Sequence, residues 1–267
     1  MKETICSLQN SRIKLIHRLT LKHRERKAQG LFLIEGAREL GLALAGGYIP
    51  DSVYVCRELF SRTDYPGVLQ FVDEQSQYVV TRSVFEKIAY REGSDGILAL
   101  MKPKLLRLED LQLSSNPFII VLEAVEKPGN LGAVLRTADA AQVDAVIVCD
   151  PANDIYNPNV VRSSVGCLFT VPVATATNIE ALLFLQERGI CPYAAALTAR
   201  RWYQETDFTQ PSAIVMGTEA KGLSDFWLHE KIEQVKIPMR GKIDSLNVSV
   251  STAILTFEAM RQRGFKM

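Results

Sequence analysis

The chain has 267 residues, which is long for one domain, and 47% of them are hydrophobic, which is enough for a sizeable core and disfavours disorder. Its five cysteines are scattered without a C-x-x-C pair, and its three histidines are dispersed, so we expect neither a metal site nor a disulfide framework. The sequence shows no signal peptide and no apolar run near the roughly 20 residues of a membrane span. These features predict a cytoplasmic protein with reduced thiols and no membrane partner.

The positive charge is concentrated at the start of the chain. Residues 1–30 contain four Lys and four Arg against two Glu, which gives +6, whereas the whole chain carries only +1. The remainder is therefore acidic, at −5. A basic N-terminal segment suggests a phosphate-rich partner, although a solvated helix face would explain the same charges equally well.

In chain order, the first elements predict a small α/β domain. The basic stretch 7–30 indicates one helix, because Ile13, Ile16 and Leu19 form an apolar stripe with Arg and Lys opposite. Further strands are expected at LFLIEG, SVYVC, YVVT and GILALM, with helices at GARELGLALAGG and VFEKIA.

A connector follows, because the stretch Lys102–Pro117 has proline near both ends and a Ser-Ser-Asn cluster. We therefore expect one domain over residues 1–105, a connector over 106–116 and a second domain over 117–267. The leucines of the connector suggest that it packs against the rest of the protein.

The sequence of the second domain predicts a parallel sheet covered by helices on both faces, because its expected strands are nearly apolar throughout. The expected strands are FIIVLEAV, AVIVCD, LFTVPVAT, YAAAL, AIVMG and QVKIPM. The expected helices are LGAVLRTADAAQ, PNVVRSSVG, NIEALLFLQERG and VSVSTAILTFEAMRQRG. For the last helix, helical spacing assigns the inner face to Val250, Ala253, Ile254, Phe257 and Met260.

Three strands of the second domain end in loops that a core would not require. The loops are KPGNLGAVLRT (127–137), GTEAKGLS (217–224) and RGKIDSLNVS (240–249). Ligands of open α/β sheets gather at the carboxyl ends of strands, so these loops are expected to meet in one site.

Each loop also has an ordinary structural interpretation. Gly129 and Gly132 could serve only tight backbone geometry, and Asn247 or Ser245 could cap the last helix. Arg136 could pair with Asp139 on the helix surface, and Glu219 could be a carboxylate in water. The repetition of polar groups at the same strand-to-loop position favours a shared site.

Neither a G-x-G-x-x-G nor a G-x-x-x-x-G-K-[ST] motif is present. A nucleotide-like cofactor would therefore be held without a phosphate cradle, which suits a cofactor that has no phosphates. The missing glycine fingerprint, and the position of these loops late in the chain, also disfavour an ordinary Rossmann-type enzyme.

The three loops resemble, in order and spacing, the three motifs of the SpoU-type (TrmH-like) RNA ribose 2′-O-methyltransferases of the SPOUT superfamily. The first motif is NLGAVLRT (130–137), the second is IVMGTEAKGL (214–223), and the third is IPMRGKIDSLNVSV (237–250). The match runs from about residue 117 to residue 264. The N-terminal half, with its basic helix before FLIEG, looks like the L30e-like substrate-binding domain often fused to this family.

The resemblance implies an α/β architecture with a small L30e-like N-terminal domain and a C-terminal parallel-sheet domain containing a deep trefoil knot. It implies S-adenosyl-L-methionine as the methyl donor, and a homodimer with its active site at the subunit interface. It also implies transfer of a methyl group to a ribose 2′-hydroxyl of RNA. The extra domain favours large-subunit (23S) ribosomal RNA, with transfer RNA, or a non-catalytic RNA-binding or ribosome-assembly protein, as alternatives.

The motif positions supply the candidate site residues. The catalytic candidates are Asn130, Arg136, Glu219, Ser245 and Asn247. The cofactor-binding candidates are Met216, Gly217, Thr218, Ile237, Met239 and Leu246. The RNA-binding candidates are Arg12, Lys14, Arg18, Lys22, Arg24, Arg26, Lys27 and Arg162. Thr218 stands at a position that is often a small residue in the family.

Overall fold

The computed structural model describes residues 4–60, 65–91, 93–151, 154–229 and 231–265. Its contacts divide the chain into two compact units. The N-terminal unit is Met1–Lys104 together with Asp154–Thr170, and the C-terminal unit is Leu105–Asn153 together with Val171–Met267. The chain therefore returns to the first unit after the second has begun.

The elements of the described residues follow in chain order. The helices are α1 Ser11–Leu21, α2 His23–Gln29, α3 Ala37–Ala45, α4 Arg57–Phe60, α5 Arg82–Ile88, α6 Pro128–Ala140, α7 Pro158–Ser164, α8 Asn178–Glu187 and α9 Val248–Gln262. The strands are β1 Phe32–Glu35, β2 Pro50–Val55, β3 Gln77–Val79, β4 Ile97–Met101, β5 Phe118–Glu123, β6 Ala145–Cys149, β7 Val173–Ala176, β8 Cys191–Ala195, β9 Arg201–Trp202, β10 Ser212–Met216 and β11 Glu233–Lys236.

The N-terminal unit contains a four-stranded mixed sheet of order β1-β4-β2-β3. Strand β4 is antiparallel to β1 and β2, whereas β2 and β3 are parallel. The predicted stripe of α1 is buried, with Ile16 and Leu19 fully inaccessible, and α7 packs on β1. Burial of one helix stripe against the sheet is what the amphipathic pattern of α1 predicts.

The basic N-terminal stretch forms two helices, whereas the sequence predicts one. Lys22 takes extended backbone angles between α1 and α2, and α1 is capped by Asn10, whose side chain accepts a hydrogen bond from the Arg12 backbone amide. The break turns Arg26 inward, where its guanidinium donates to the Leu19 carbonyl at 2.7 Å. Residues 22–27 include no apolar side chain, so the apolar stripe of α1 gave no information about this break.

The C-terminal unit contains a seven-stranded sheet of order β7-β6-β5-β10-β8-β11-β9. All of its ladders are parallel, which confirms the predicted α/β fold with a parallel sheet. The central strands β5, β6 and β10 are buried at every position, as their continuous apolar runs predict. Leu111, from the expected connector, is buried in the core of this unit.

Two predicted elements of this unit are shorter or differ in kind. The expected strand LFTVPVAT is a strand only over Val173–Ala176, because Cys167–Phe169 forms a 3-10 turn in the N-terminal unit. The strand predicted at QVKIPM ends at Lys236. The two-residue strand β9 lies at the edge of the sheet and has no counterpart among the predictions.

The predicted inner face of α9 is wrong. Val250 and Phe257 are 47% and 41% exposed, and Ala253, Ile254 and Met260 are only partly buried. The buried side chains of α9 are instead Val248, Thr252, Leu255, Thr256 and Ala259. Threonine can lie on the buried face of a helix because its hydroxyl can donate a hydrogen bond to the backbone carbonyl four residues earlier. The Thr252 hydroxyl donates in this way to the Val248 carbonyl at 2.7 Å.

Candidate active site

The three loops singled out in the sequence follow β5, β10 and β11 at one edge of the sheet, since parallel strands present their carboxyl ends together. The first loop begins α6 with Pro128 at its first turn. The second is a tight turn in which the Thr218 and Gly222 backbones exchange hydrogen bonds of 2.9 and 3.0 Å. The third leads into α9, which is capped by Asn247.

One polar side chain from each loop joins a hydrogen-bonded cluster. The Asn130 amide donates to Glu219 Oε1 at 3.0 Å, and the Asn247 amide donates to Asn130 Oδ1 at 3.2 Å and also to Glu219 Oε1. The carbonyl oxygen of the Asn247 side chain accepts the Ser249 amide at 2.9 Å. Asn247 therefore caps α9 and joins the cluster at once, which combines the two interpretations of this residue.

The negative charge of the cluster lies on the Glu219 carboxylate, which the ammonium group of Lys127 balances. Lys127 forms an ion pair with Glu219 Oε2, and the hydrogen bonds from Lys127 and then Asn130 lower the pKa of the Glu219 carboxyl below its ordinary value. Glu219 is therefore ionised at neutral pH. Lys127 opens the first loop but was not among the predicted site residues.

The other two catalytic candidates lie outside this cluster. Arg136 is exposed on α6, about 240° around the helix axis from Asn130 because six residues separate them. Among the described residues, no hydrogen bond links Arg136 to Asn130, Glu219 or Asn247. The Ser245 hydroxyl donates to Asp244 Oδ1 at 3.2 Å and lines a neighbouring cavity.

That neighbouring cavity has a volume of about 380 Å³ and lies among the second and third loops and the carboxyl end of β8. All six cofactor-binding candidates line it, namely Met216, Gly217, Thr218, Ile237, Met239 and Leu246. The segment Ala195–Thr198 after β8 also lines it and was missed by the sequence analysis. Its place was open to inference, because the strand YAAAL ends at the same edge of the sheet.

The chemistry of the cavity suits a ligand with an apolar body and few charges. Most of its side chains are aliphatic, including Leu223, Val235 and Leu255, and two lysines and two acidic residues line it. At Gly217 a Cβ atom would lie 2.2 Å from the Gly222 carbonyl group, so only glycine allows the backbone to approach so closely. The described lining of the cavity contains no arginine that would hold a chain of phosphates.

A buried carboxylate supports the second loop from behind. Glu123, at the end of β5, accepts hydrogen bonds from the Ser224 amide at 2.8 Å, the Ser224 hydroxyl at 2.6 Å and the Asn178 amide at 2.6 Å. Asn178 in turn accepts the Trp227 indole N–H at 2.8 Å. These hydrogen bonds fix the end of the second loop to the core. The sequence pattern did not indicate Glu123, Asn178 or Trp227 as residues of the site.

The basic candidates of the N-terminal unit divide into exposed and buried residues. The exposed ones are Arg12, Lys14, Arg18, Lys22, Arg24, Lys27 and Arg162. Arg12 lies over the Tyr78 ring at 4.3 Å, and Arg162 lies over the Tyr90 ring at 5.4 Å.

Arg26 differs from the prediction, because it is only 5% exposed and pairs with Asp154 at 2.7 Å. Its guanidinium joins the Leu19 carbonyl to the Asp154 carboxylate within the N-terminal unit and is not part of the exposed basic face. The described residues contain no group of three or more His, Cys, Asp or Glu that could hold a metal ion. None of their helices is both long and apolar enough to span a bilayer.

Comparisons with known proteins agree with this geometry. Residues 117–257 match the model of the SpoU rRNA Methylase family, and residues 10–99 match that of the MRM3-like substrate binding domain. The 23S rRNA (guanosine-2′-O-)-methyltransferase RlmB of Pectobacterium atrosepticum is 36% identical over 73% of this chain and 77% of its own length.

Several solved structures match nearly the whole chain, among them the following two. A crystal structure of an RNA 2′-O ribose methyltransferase has a TM-score of 0.82 at 38% identity and covers 98% of this chain and 99% of its own. The AdoMet-bound rRNA methyltransferase of Sinorhizobium meliloti has a TM-score of 0.87 at 26% identity, covering 97% of each chain. The family match, the full-length likeness and the three-loop site lead to one conclusion: the chain belongs to the SpoU rRNA methylase family.

Proposed function

We propose that this protein transfers a methyl group from S-adenosyl-L-methionine to a ribose 2′-hydroxyl of 23S ribosomal RNA. The observation that carries the proposal is the meeting of Asn130, Glu219 and Asn247, from three separate loops, beside the 380 Å³ cavity. The relatives named for this reaction support it, since they match this chain over most of their length. Because such relatives act on bacterial ribosomal RNA, we place the protein in the cytoplasm.

The cavity fits the cofactor in its chemistry. Backbone groups near Gly217, Ile237 and Leu246 would hold the adenosine part, and the aliphatic walls would exclude water from it. S-adenosyl-L-methionine supplies an electrophilic methyl group on a positively charged sulfur, so the reaction requires no metal. The task of this chain is to align a ribose oxygen with that methyl group, and alignment of this kind can lower a barrier by about 7–11 kcal/mol.

Arg136 has the task of stabilising the ribose oxygen as its proton leaves. A guanidinium keeps its proton below about pH 12, so Arg136 is a poor general base and acts as a hydrogen-bond donor to the oxygen or to the adjacent phosphate. A substrate phosphate or a water molecule accepts the ribose proton. Asn130, Ser245 and Asn247 orient groups near the same centre, and Glu219 anchors the second loop to the first.

Within one chain no hydrogen bond of the described residues joins Arg136 to the cluster of Asn130, Glu219 and Asn247, and a homodimer would supply Arg136 to the site from a second copy. Helices α6 and α9 pack together, and α9 presents Val250 and Phe257 to solvent beside the partly buried Ile254. An exposed apolar stripe of this kind is typical of a surface that a second copy covers. We therefore propose a dimer through α6 and α9, with the active site completed across the interface, and a knotted C-terminal unit as in the family.

The variant Arg136→Lys tests the role of the guanidinium. It keeps the charge but loses the planar fork of donors, so we expect turnover to fall by about 100-fold or more while cofactor affinity stays unchanged. Turnover close to that of the unaltered enzyme would refute the role of the fork.

The exposed basic face of the N-terminal unit binds the RNA backbone with little dependence on sequence. Replacing Lys14, Arg18 and Lys22 by Gln should weaken RNA binding and reduce the slope of log affinity against log salt by about two to three. An unchanged slope would show that this face does not contact the RNA.

Two measurements separate the alternatives. Titration of the purified protein with S-adenosyl-L-methionine distinguishes an enzyme from a non-catalytic RNA-binding protein, which has no reason to bind the cofactor. Mapping of ribose methylation in total RNA, with and without the protein, distinguishes a 23S ribosomal target from a transfer RNA target. Loss of a methyl group from transfer RNA alone would redirect the proposal to that substrate.

A further inference from the structure

A second cavity adjoins the cofactor cavity. It has a volume of about 270 Å³ and is lined by Lys127 and Asn130 from the first loop and by Val125 and Glu126, which directly precede that loop. Its remaining lining, Gly217–Ala220 with Val248, also lines the 380 Å³ cavity. The two cavities therefore share one wall, which carries the second loop.

Methyl transfer requires donor and acceptor atoms to approach within about 3–3.5 Å, so the site of the acceptor must adjoin the site of the donor. The second cavity meets this requirement, and its smaller volume suits a single nucleoside better than a whole cofactor. Asn130 and Glu219, two of the residues that join the loops, also line it.

The charges of the second cavity are unfavourable for RNA unless one residue is present. Its described lining contains two carboxylates, Glu126 and Glu219, and a single cation, Lys127. Without Lys127 the lining would carry only negative charge, which repels a phosphate backbone. Lys127 forms an ion pair with Glu219, and its side chain remains 69% exposed, so its ammonium group is accessible to an RNA backbone that approaches this cavity.

We propose that the second cavity receives the target ribonucleotide and that Lys127 is a positioning residue, which cancels the charge of Glu219 so that the RNA backbone can enter. This inference rests on the proposed function and extends it to the acceptor side of the site. Lys127 acts through Glu219 and need not touch the reacting atoms.

The first experiment compares Lys127→Met, Lys127→Arg and a matched control, Lys231→Met, in the full-length protein. Lys231 is an exposed lysine of the C-terminal unit that lines neither cavity. The probe is 23S ribosomal RNA isolated from cells that lack the protein, and calorimetry with S-adenosyl-L-methionine gives the cofactor affinity. Thermal unfolding verifies that each variant is folded.

The substitution Lys127→Met should raise the RNA concentration for half-maximal single-turnover rate by about 3–10-fold, with the maximal rate and cofactor affinity within twofold of the control. Lys127→Arg should restore RNA affinity because it retains the charge. An RNA dependence for Lys127→Met equal to that of Lys231→Met would overturn the inference. So would a loss of cofactor affinity that accounts for the whole effect.

A double-mutant cycle tests whether Lys127 acts through Glu219. In a Glu219→Gln background the carboxylate is already neutral, so adding Lys127→Met should change RNA affinity by less than about twofold in filter binding. An undiminished effect in that background would mean that Lys127 binds phosphate directly, which contradicts the positioning role.

If the unaltered protein binds no S-adenosyl-L-methionine, the proposed function itself fails. If it methylates RNA but the Lys127 variants behave normally, only this inference fails.

Discussion

Removal of the Glu123 carboxylate should destabilise the C-terminal unit, because this carboxylate anchors the end of the second loop to the core. In Glu123→Ala, three donors lose a charged acceptor, namely the amide and hydroxyl of Ser224 and the amide of Asn178. Each hydrogen bond to a charged group is worth about 1.5–3 kcal/mol, and partial resolvation of the freed donors reduces the sum. We expect a destabilisation of about 3–5 kcal/mol, and about 2 kcal/mol for Glu123→Gln, which keeps one acceptor oxygen.

Urea denaturation monitored by tryptophan fluorescence measures this effect. Both tryptophans of the chain, Trp202 and Trp227, lie in the C-terminal unit, and Trp227 is fully buried and hydrogen-bonded to Asn178, so tryptophan emission reports the unfolding of this unit alone. This separation matters because a chain of two units need not unfold in one step. The matched control, Glu187→Ala, removes an exposed carboxylate and should change stability by less than about 0.5 kcal/mol. A Glu123→Ala variant within about 1 kcal/mol of this control would refute the reasoning.

Two further outcomes follow from close contacts in the two units. Gly217→Ala places a Cβ atom 2.2 Å from the Gly222 carbonyl group, so we expect the second loop to shift. Calorimetry should then detect cofactor binding that is weaker by at least about tenfold. Unchanged binding would mean that the loop relaxes freely. Arg26→Met removes the guanidinium that forms an ion pair with Asp154 and should destabilise the N-terminal unit by about 3–5 kcal/mol, whereas Arg24→Met should weaken RNA binding without lowering the thermal midpoint. Equal thermal midpoints for these two variants would contradict the structural role of Arg26.

Much of the C-terminal unit was predictable because its strands are apolar throughout and its loops carry the polar residues. Continuous apolar runs identify buried parallel strands, and the parallel arrangement by itself brings the carboxyl ends to one edge. The meeting of Asn130, Glu219 and Asn247 follows from that geometry. No periodicity could indicate Lys127, because its importance depends on a carboxylate about ninety residues away in the chain.

The incorrect predictions have physical causes of their own. The face of α9 was assigned by apolarity alone, and that rule cannot separate a surface buried within the chain from one that a second copy would cover. Thr252 and Thr256 occupy the inner face instead. Arg26 was assigned to the basic face because charged residues are mostly exposed, yet a paired arginine can be buried.

The return of Asp154–Thr170 to the N-terminal unit limits how the protein can be divided by genetic engineering. A fragment ending at Lys104 would lack α7, which packs on β1, and would leave Arg26 without Asp154. Such a fragment would expose apolar surface that the intact chain covers, so poor solubility should follow. Exchange of this unit between homologues would therefore require the exchange of two separate gene segments, those for residues 1–104 and 154–170, and exchange of the first segment alone would leave mismatched packing partners.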